Sequence, residues 1–269
     1  MIVSKRRLLN RTKTLDYLKD LAGVPGKAAR FCLPPNLSPN ETRGVCQMGD
    51  IPEDIHAHFI KLAAGSKTGC YVFWSAGQKC LVVPAFPTAA TQITQTLDLA
   101  QIRAQLEKEL VIALVLVRLG SYAIGVSKGE TLLTSKVGTG LVHGRHRQGG
   151  SSAHRFERHR DKQIESFMTR VCKHAREQIE PYARSLDYIV YGGARTTILL
   201  LQKYCPLLGN LKAPELPPLL DIPEPRQAVL ENALNRVWSS TVYEWRRARN
   251  KWNGLVLRRP SLSSGRYMP

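Results

Sequence analysis

Hydrophobic positions along the chain change from helical to strand-like spacing, and each change marks a predicted element. Leucines within residues 4–21 recur on one face of a predicted helix. The stretch "PPNLSPNETRG", residues 34–44, predicts a loop because it is rich in Pro, Asn, Ser and Gly. A short helix is expected to end near Gly65, and two apolar runs around "SAGQ" predict a β-hairpin. Residues 1–96 are therefore expected to form a small α+β unit.

A second unit is predicted over residues 97–222. It opens with a helix, "LDLAQIRAQLEKEL", and three short apolar runs, "VIALVLV", "SYAIGVS" and "TLLTSKV", then follow with brief turns between them. This spacing is typical of an antiparallel meander. Helical spacing runs from Arg155 to about Tyr182, and a strand, "LDYIVYGG", and a helix, "ARTTILLLQKYC", come next. The order predicts an α/β domain with a mixed sheet, within a chain that is α+β overall.

The C-terminal part, residues 223–269, is predicted to be a helix followed by a basic tail. The helix is expected from about Arg226 to Asn250. The last 25 residues hold seven Arg/Lys and no acid, with Trp245, Trp252 and Tyr267 interleaved. This composition fits phosphate contacts with base stacking, and it fits a solvated tail equally well.

The chain is strongly basic, with 39 Lys+Arg against 21 Asp+Glu and a net charge of +18. Such a charge predicts a polyanionic partner, with nucleic acid first and an anionic membrane surface second. The longest aliphatic run, "VIALVLV", is too short to cross a bilayer, and the N-terminus turns basic without the apolar core of a secretory signal. We therefore expect a cytoplasmic protein with no membrane partner.

Six cysteines are spread along the chain without any CxxC spacing, which argues against a structural zinc site. We expect buried thiols in a reducing compartment, most clearly at Cys70 and Cys80, which have apolar neighbours. The full set is Cys32, Cys46, Cys70, Cys80, Cys172 and Cys205.

The densest positive charge surrounds two adjacent glycines in "HGRHRQGGSSAHRFERHRDKQ", residues 143–163, which we call the Gly-Gly segment. Between positions 145 and 162 it holds six Arg/Lys against two acids. Glycine permits backbone conformations and close approaches that other residues do not. Arg155, Arg158 and Lys162 fall near one face of the following helix.

Several common chemistries do not fit this segment. It lacks the GxxxxGK[ST] of a phosphate-binding loop and the GxGxxG of a dinucleotide site. Its histidines have no carboxylate or cysteine at a spacing useful for metal ligands, so we expect neither a metal nor a cofactor. Ser151 and Ser152 with His154 do not form a nucleophile elbow. A two-metal nuclease would need clustered carboxylates, whereas Glu130 and Asp187 are isolated.

The order of meander, basic glycine loop and helix resembles the central catalytic domain of archaeal and eukaryotic class-1 peptide-chain release factors. That domain carries Gly-Gly-Gln followed by Ser and then an Arg-Phe-x-Arg helix start, and "RQGGSSAHRFERHRDKQ" aligns with it without a gap. The strand and glycines of "IVYGGARTTILLL" are similar as well, so the resemblance covers residues 110–208. The matching positions are Arg147, Gly149, Gly150, Ser152, Arg155, Phe156 and Arg158.

A closer resemblance is to the bacterial, actinobacterial or chloroflexal type of release-factor-like peptidyl-tRNA hydrolases, which are related to the tRNA hydrolases of ribosome quality control. The resemblance implies a ribonuclease-H-like domain without nuclease activity. It implies release of nascent peptide from tRNA on stalled ribosomes or large subunits, with 23S rRNA and peptidyl-tRNA as partners and no cofactor. The alternative is a non-catalytic ribosome- or RNA-binding protein of the same descent.

The resemblance also implies roles for individual residues. One departure is that Ser151 stands where release factors place Gln, while Gln148 precedes the glycines. Either side chain could therefore orient the attacking water. The implied catalytic residues are Gly149, Gly150, Ser151 and Gln148, and the implied RNA-binding residues are Arg145, His146, Arg147, Arg155, Arg158, Arg160 and Lys162.

Overall fold

The computed structural model describes residues 2–24, 28–95, 99–144 and 153–247. Its strands are β1 (Ile2–Leu9), β2 (Ala28–Leu33), β3 (Cys70–Ser75), β4 (Lys79–Val83), β5 (Val111–Arg118), β6 (Ser121–Lys128), β7 (Thr131–Thr139), β8 (Tyr188–Gly192) and β9 (Ser240–Arg247). Its α-helices are α1 (Arg11–Ala22), α2 (Pro39–Met48), α3 (His56–Ala64), α4 (Leu99–Glu107), α5 (Ala153–Ile179), α6 (Arg195–Tyr204), α7 (Pro206–Asn210) and α8 (Gln227–Val237).

The first sheet is antiparallel and has the order β1-β9-β4-β3-β2. The predicted hairpin is confirmed as β3 and β4. Residues of α1 pack on one face of the sheet together with Phe73 and Val82. Residues of α2 and α3 pack on the other face, where Phe59 and Trp74 contact the ring of Trp245.

The second sheet has the order β7-β6-β5-β8. Strands β5, β6 and β7 form the predicted antiparallel meander, and β8 runs parallel to β5. Two further parallel bridges, from Ile189 to Glu215 and from Gly192 to Leu220, continue the pairing beyond β8. The predicted mixed α/β class is confirmed.

Strand β5 is covered on both faces, which explains why its sequence is apolar throughout. Leu114 and Leu116 belong to the core that includes α8, whereas Val115 and Val117 belong to the core that includes α5 and α6. A strand buried on both sides reads as a continuous hydrophobic run instead of alternating with polar residues.

Trp238, directly after α8, joins the two sheets through one continuous core. The side chain is fully buried, and its Nε1 donates a hydrogen bond to the carbonyl oxygen of Gly129 at 3.0 Å. The guanidinium carbon of Arg11 lies 4.6 Å from the ring centroid, and Arg11 Nε donates to the carbonyl oxygen of Leu106 at 2.7 Å. Trp238 and Arg11 thus connect α1, α4 and the β6–β7 turn.

The prediction of one helix over residues 4–21 is wrong, because β1 precedes α1. The boundary is Asn10, whose side chain accepts a hydrogen bond from the backbone N–H of Lys13 at 3.0 Å as an N-cap. Strand β1 pairs only with β9, and local periodicity carries no trace of so distant a partner.

The loop predicted over residues 34–44 is also shorter than expected, because α2 begins at Pro39. Ser38 and Glu41 form a capping box, in which the Ser38 hydroxyl accepts from the Glu41 N–H at 3.2 Å and the Glu41 carboxylate accepts from the Ser38 N–H at 2.8 Å. Proline fits the first turn of a helix, so the residues that indicate a loop here begin a helix.

The helix expected to reach Asn250 ends at Val237, and residues 240–247 form β9 instead. The run "STVYEW" is β-branched and aromatic, which favours a strand. Trp245 is 3% exposed and belongs to the core, so it is not part of a basic tail. Trp252 and Tyr267 lie outside the described residues.

Cys70 and Cys80 are buried free thiols, as predicted, and burial raises the pKa of Cys80 to about 12. The expectation of free thiols at Cys172 and Cys205 is wrong. These two residues form a disulfide with their Cα atoms 5.1 Å apart. Their separation of 33 residues gives no pairing signal, and they meet only because α5 packs beside α6.

Candidate functional site

The Gly-Gly segment joins two elements of the second sheet's layer, β7 and α5. Strand β7 ends at Thr139, and α5 begins at Ala153. Residues 145–152 lie outside the described residues, so the candidate site is built from its two flanks. The predicted site residues in that range are Arg145, His146, Arg147, Gln148, Gly149, Gly150 and Ser151.

The first turns of α5 extend ahead of the packed core. From position 155 to position 166 no side chain is buried, and Phe167 is the first buried residue of the described helix. At a rise of 1.5 Å per residue, these turns amount to about 18 Å of helix. Phe156 keeps 57% of its side-chain surface exposed within this part. The helix therefore carries its N-terminal end away from the body of the second sheet.

Arg155, Arg158 and Lys162 lie exposed on one face of this projecting part, as the sequence predicted. The projecting face therefore presents three cations to solvent. Such a face can bind phosphate groups by charge.

Arg160 and Gln163 hold the backbone of His143 on both sides. Arg160 Nε donates to the His143 carbonyl oxygen at 3.0 Å, and Gln163 Oε1 accepts from the His143 N–H at 3.1 Å. Arg170 adds a bond from Nη1 to the Thr139 carbonyl oxygen at 3.1 Å. The chain that leaves β7 is thus fastened along α5 before it reaches Arg145.

The structure gives Arg160 this intramolecular role in addition to the RNA contact predicted for it. Arg160 and Phe167 are seven residues apart and share one helical face, so Arg160 points along the buried side of α5. Gln163 was not among the predicted site residues. The sequence shows only that it lies three residues from Arg160, and this spacing indicates a shared contact only when the position of β7 beside α5 is known.

Replacing Gln163 by leucine tests this fastening. The change keeps the side-chain size but removes the acceptor of the His143 N–H. Losing a hydrogen bond worth about 1 kcal/mol should raise the exchange rate of that amide roughly fivefold. Hydrogen exchange with fragment-level mass spectrometry measures it, and Lys162→Met is the neighbouring control. Unchanged exchange in Gln163→Leu would show that the bond does not hold this segment.

Two glycines of β7 and its exit are packed against aromatic rings. A Cβ on Gly138 would lie 2.2 Å from the Tyr122 hydroxyl oxygen, and one on Gly140 would lie 2.7 Å from Cδ2 of Phe167. Burial raises the pKa of Tyr122 above its ordinary value. These glycines therefore serve close packing beneath the segment. Gly144 differs from them, since no atom of the described residues lies within 4 Å of the position that its Cβ would take.

Gly138→Ala is expected to lower the free energy of unfolding by about 2 kcal/mol, because the new methyl group overlaps the Tyr122 ring. Chemical denaturation measures the change. Gly144→Ala is the matched control and should leave stability within about 0.5 kcal/mol of the parent. Equal stability of the two variants would contradict the packing described for Gly138.

A depression of about 320 Å³ lies between the exit of β7 and α5. Gly140, Leu141 and Phe167 give it an apolar part, and Lys162 and Arg170 give it a cationic part. Its composition suits the sugar or base of a nucleotide beside its phosphate.

The two carboxylates named from the sequence, Glu130 and Asp187, do not form a catalytic pair near this site. Glu130 lies 3.8 Å from an Nη of Arg11, and Asp187 Oδ2 accepts from the Val111 N–H at 2.7 Å, so both serve the fold. Within residues 2–24, 28–95, 99–144 and 153–247, no three His, Cys, Asp or Glu side chains group as metal ligands. In the same ranges, no helix is both long and apolar enough to cross a bilayer.

Sequence comparison decides the family. Residues 111–243, about half of the chain, match the profile of the Actinobacteria/chloroflexi VLRF1 release factor, acVLRF1. The chain belongs to a release-factor-like family. The matched range begins with β5 and ends within β9, so it contains both flanks of the Gly-Gly segment as well as the segment itself.

A curated relative of this release-factor-like chain is the peptide chain release factor subunit 1 of Archaeoglobus fulgidus. It is 39% identical over 74 residues, which are 28% of this chain and 18% of the archaeal protein. The chain therefore matches less than a fifth of the length of that relative.

Similar solved structures include the archaeal translation termination factor aRF1, with 16% sequence identity and a TM-score of 0.33. That match covers 85% of this chain and 70% of the other. A second structure, described as an archaeal protein, has 16% identity and a TM-score of 0.35, with 84% and 70% covered. The family assignment depends on the sequence matches.

Proposed function

We propose that this release-factor-like protein is a ribosome-dependent peptidyl-tRNA hydrolase that frees nascent peptide from stalled ribosomes or large subunits. The observation that carries the proposal is the family match over residues 111–243, which contains the Gly-Gly segment. The partners would be 23S rRNA and peptidyl-tRNA, in the compartment where the ribosome works. Residues 1–96 contain no motif that we can connect with codon reading, which favours rescue over ordinary termination.

The proposed reaction is hydrolysis of the ester between the peptide and the 3′ end of tRNA. Water attacks the carbonyl carbon, the bond from that carbon to the 3′ oxygen breaks, and the oxygen takes up a proton. Gly149 and Gly150 would let the backbone approach the ester inside a cavity formed by RNA. Backbone N–H groups beside them would stabilise the developing negative charge on the carbonyl oxygen.

Gln148 and Ser151 are the candidates for holding the water. An amide or a hydroxyl can orient water by hydrogen bonding without a shifted pKa, so the catalytic gain would come mainly from positioning. The two flanks support this account, because Arg160 and Gln163 fasten the β7 side of the segment to the helix on its other side. A positioned segment needs fixed flanks.

The exposed cations of α5 would bind phosphates around the site. Replacing Arg155, Arg158 and Lys162 together by methionine should weaken binding to the ribosome. The slope of log K against log salt concentration should become shallower by about 3 if each cation contacts one phosphate. Binding titrations from low to high salt measure the slope. An unchanged slope would remove this face from the RNA interface.

A single-turnover assay tests the function itself. Labelled peptidyl-tRNA is loaded on isolated large subunits, the protein is added, and peptide release is followed over time. Release that requires the subunit supports the proposal. Binding without release would favour the non-catalytic alternative, and equal release from free peptidyl-tRNA would contradict a ribosome-dependent mechanism.

A further inference from the structure

A second cleft lies beside the first sheet, where α1 packs near β1 and β9. Its volume is about 500 Å³, within the range of about 300–1,000 Å³ common for small-ligand sites. None of its lining residues belongs to the described part of the Gly-Gly segment. Its lining includes Arg7, Lys13, Tyr17, Gln78, Glu244 and Arg246.

Glu244 is a buried carboxylate at this cleft. Its side chain is only 4% exposed, although it sits in a strand of a strongly basic protein. Oε1 accepts from Gln78 Nε2 at 3.3 Å and lies 3.5 Å from Arg7 Nη1. Oε2 has no hydrogen-bond partner among the described residues. A buried acceptor without a donor is costly, so Oε2 is a place where a ligand N–H would be strongly favoured.

Arg246 forms an ion pair with Oε2 but no hydrogen bond. Its Nη2 is 3.6 Å from Oε2, beyond hydrogen-bond distance, and its side chain is 74% exposed. Such a side chain can turn outward without loss of packing. Its guanidinium would then lie at the rim of the cleft and leave Oε2 open to a donor from a ligand.

The rim and wall of the cleft offer complementary groups. Lys13 is exposed at the rim, and the guanidinium carbon of Arg7 lies 5.6 Å from the ring centroid of Tyr17. Gln78 Nε2 donates to the Tyr17 hydroxyl at 3.0 Å, which fixes both side chains. Beside the exposed carboxylates of Asp16 and Asp20, the cleft combines the buried acceptor of Glu244 with three cations, and a matching ligand carries an amino donor and a negative charge.

We infer that this cleft binds one nucleotide of single-stranded RNA, whose base bears an exocyclic amino group that donates to Glu244 Oε2. The phosphates on either side would contact Lys13, Arg7 and Arg246. Carboxylate side chains recognise base amino groups in this way. Strand β1 also continues the positive charge past the cleft with the exposed Lys5, which lies two residues from Arg7 on the same face of the strand and suits a run of phosphates better than a free amino acid.

Short labelled oligoribonucleotides test the inference without any ribosome, so the result is independent of peptide release. The probes are U7, U7 with a central cytidine, and U7 with a central guanosine or inosine. Uridine carries a 4-oxo group in place of the 4-amino group of cytidine, and inosine lacks the 2-amino group of guanosine. The wild-type protein should prefer cytidine over uridine, or guanosine over inosine, by about tenfold in fluorescence anisotropy titrations. Equal binding within both pairs would overturn the inference.

Glu244→Gln should abolish this preference, because an amide NH2 group replaces the Oε2 acceptor. The affinity for U7, which has no amino group to donate, should stay within about twofold. Asp20→Asn is the matched control: it makes the same charge change at an exposed residue of the same cleft and should keep the preference. A preference that survives in Glu244→Gln would overturn the inference.

A second measurement does not depend on the folding of the variants. A 4-thiouridine placed next to the central cytidine is photocrosslinked to the wild-type protein, and the crosslinked peptide is identified by mass spectrometry. Crosslinks should fall in α1 or near Gln78. Crosslinks confined to α5, or displacement of the probe by a short lysine- or arginine-containing peptide, would contradict an RNA nucleotide site here.

Discussion

Peptide release by the Gly149→Ala/Gly150→Ala variant is expected to fall by on the order of a hundredfold or more in the single-turnover assay. Two methyl groups would be added to the part of the chain that is proposed to lie against the ester. They would displace the backbone N–H groups and the water by about an ångström, and such a displacement is enough for a loss of this size. Binding to large subunits should be retained, because the cations are unchanged.

Gly144→Ala is the control for this double variant. It adds a methyl group to the same segment, at a position where no atom of the described residues lies within 4 Å, so release should stay within about twofold of the parent. Single variants at Gln148 and Ser151 then separate the two candidates for orienting water. Full activity of the double glycine variant would refute the proposed mechanism.

Trp238→Ala is expected to lower the free energy of unfolding by about 4 kcal/mol. The side chain is completely buried in the core that links both sheets, and its loss leaves a cavity as well as an unpaired carbonyl oxygen on Gly129. The contact with the Arg11 guanidinium is lost too. Urea denaturation followed by circular dichroism measures the change.

Two control variants are needed to interpret the result for Trp238→Ala. Trp238→Phe keeps most of the buried surface and loses the N–H donor, so it should cost about 1–2 kcal/mol. Tyr204→Ala removes a ring that is 39% exposed and should change stability far less. A loss below about 1 kcal/mol in Trp238→Ala would mean that the two sheets are stable without this junction.

The second sheet was predictable because its signals are local. The three strands β5, β6 and β7 follow each other through short turns, and the stripe from Phe167 onward defines α5 at helical spacing. The sequence also contains the residues of the capping box at Ser38 and of the N-cap at Asn10. The first was overlooked because its neighbours favour loops, and the second because a run of leucines suggested one continuous helix.

The first sheet was harder to predict because its pairing is non-local. Strand β9 lies between β1 and β4, and nothing in the neighbourhood of Trp245 indicates those partners. The same reason hid the cleft, since Glu244 becomes a buried carboxylate only when β9 is inserted beneath α1. At the Gly-Gly segment the sequence identified the charge, while the hold of Gln163 on His143 depended on the relative placement of β7 and α5.

The insertion of β9 also ties the order of synthesis to the order of folding. Strand β1 can pair in the sheet only after β9 has been synthesised, because Ile2 pairs with Arg247. A nascent chain therefore has an unpaired strand edge until almost all of the described sequence has left the ribosome. The second sheet, whose strands are close in sequence, can form earlier. A shortened chain lacking residues 240–247 would expose β1 and β4 to pairing with other chains and would be prone to aggregation.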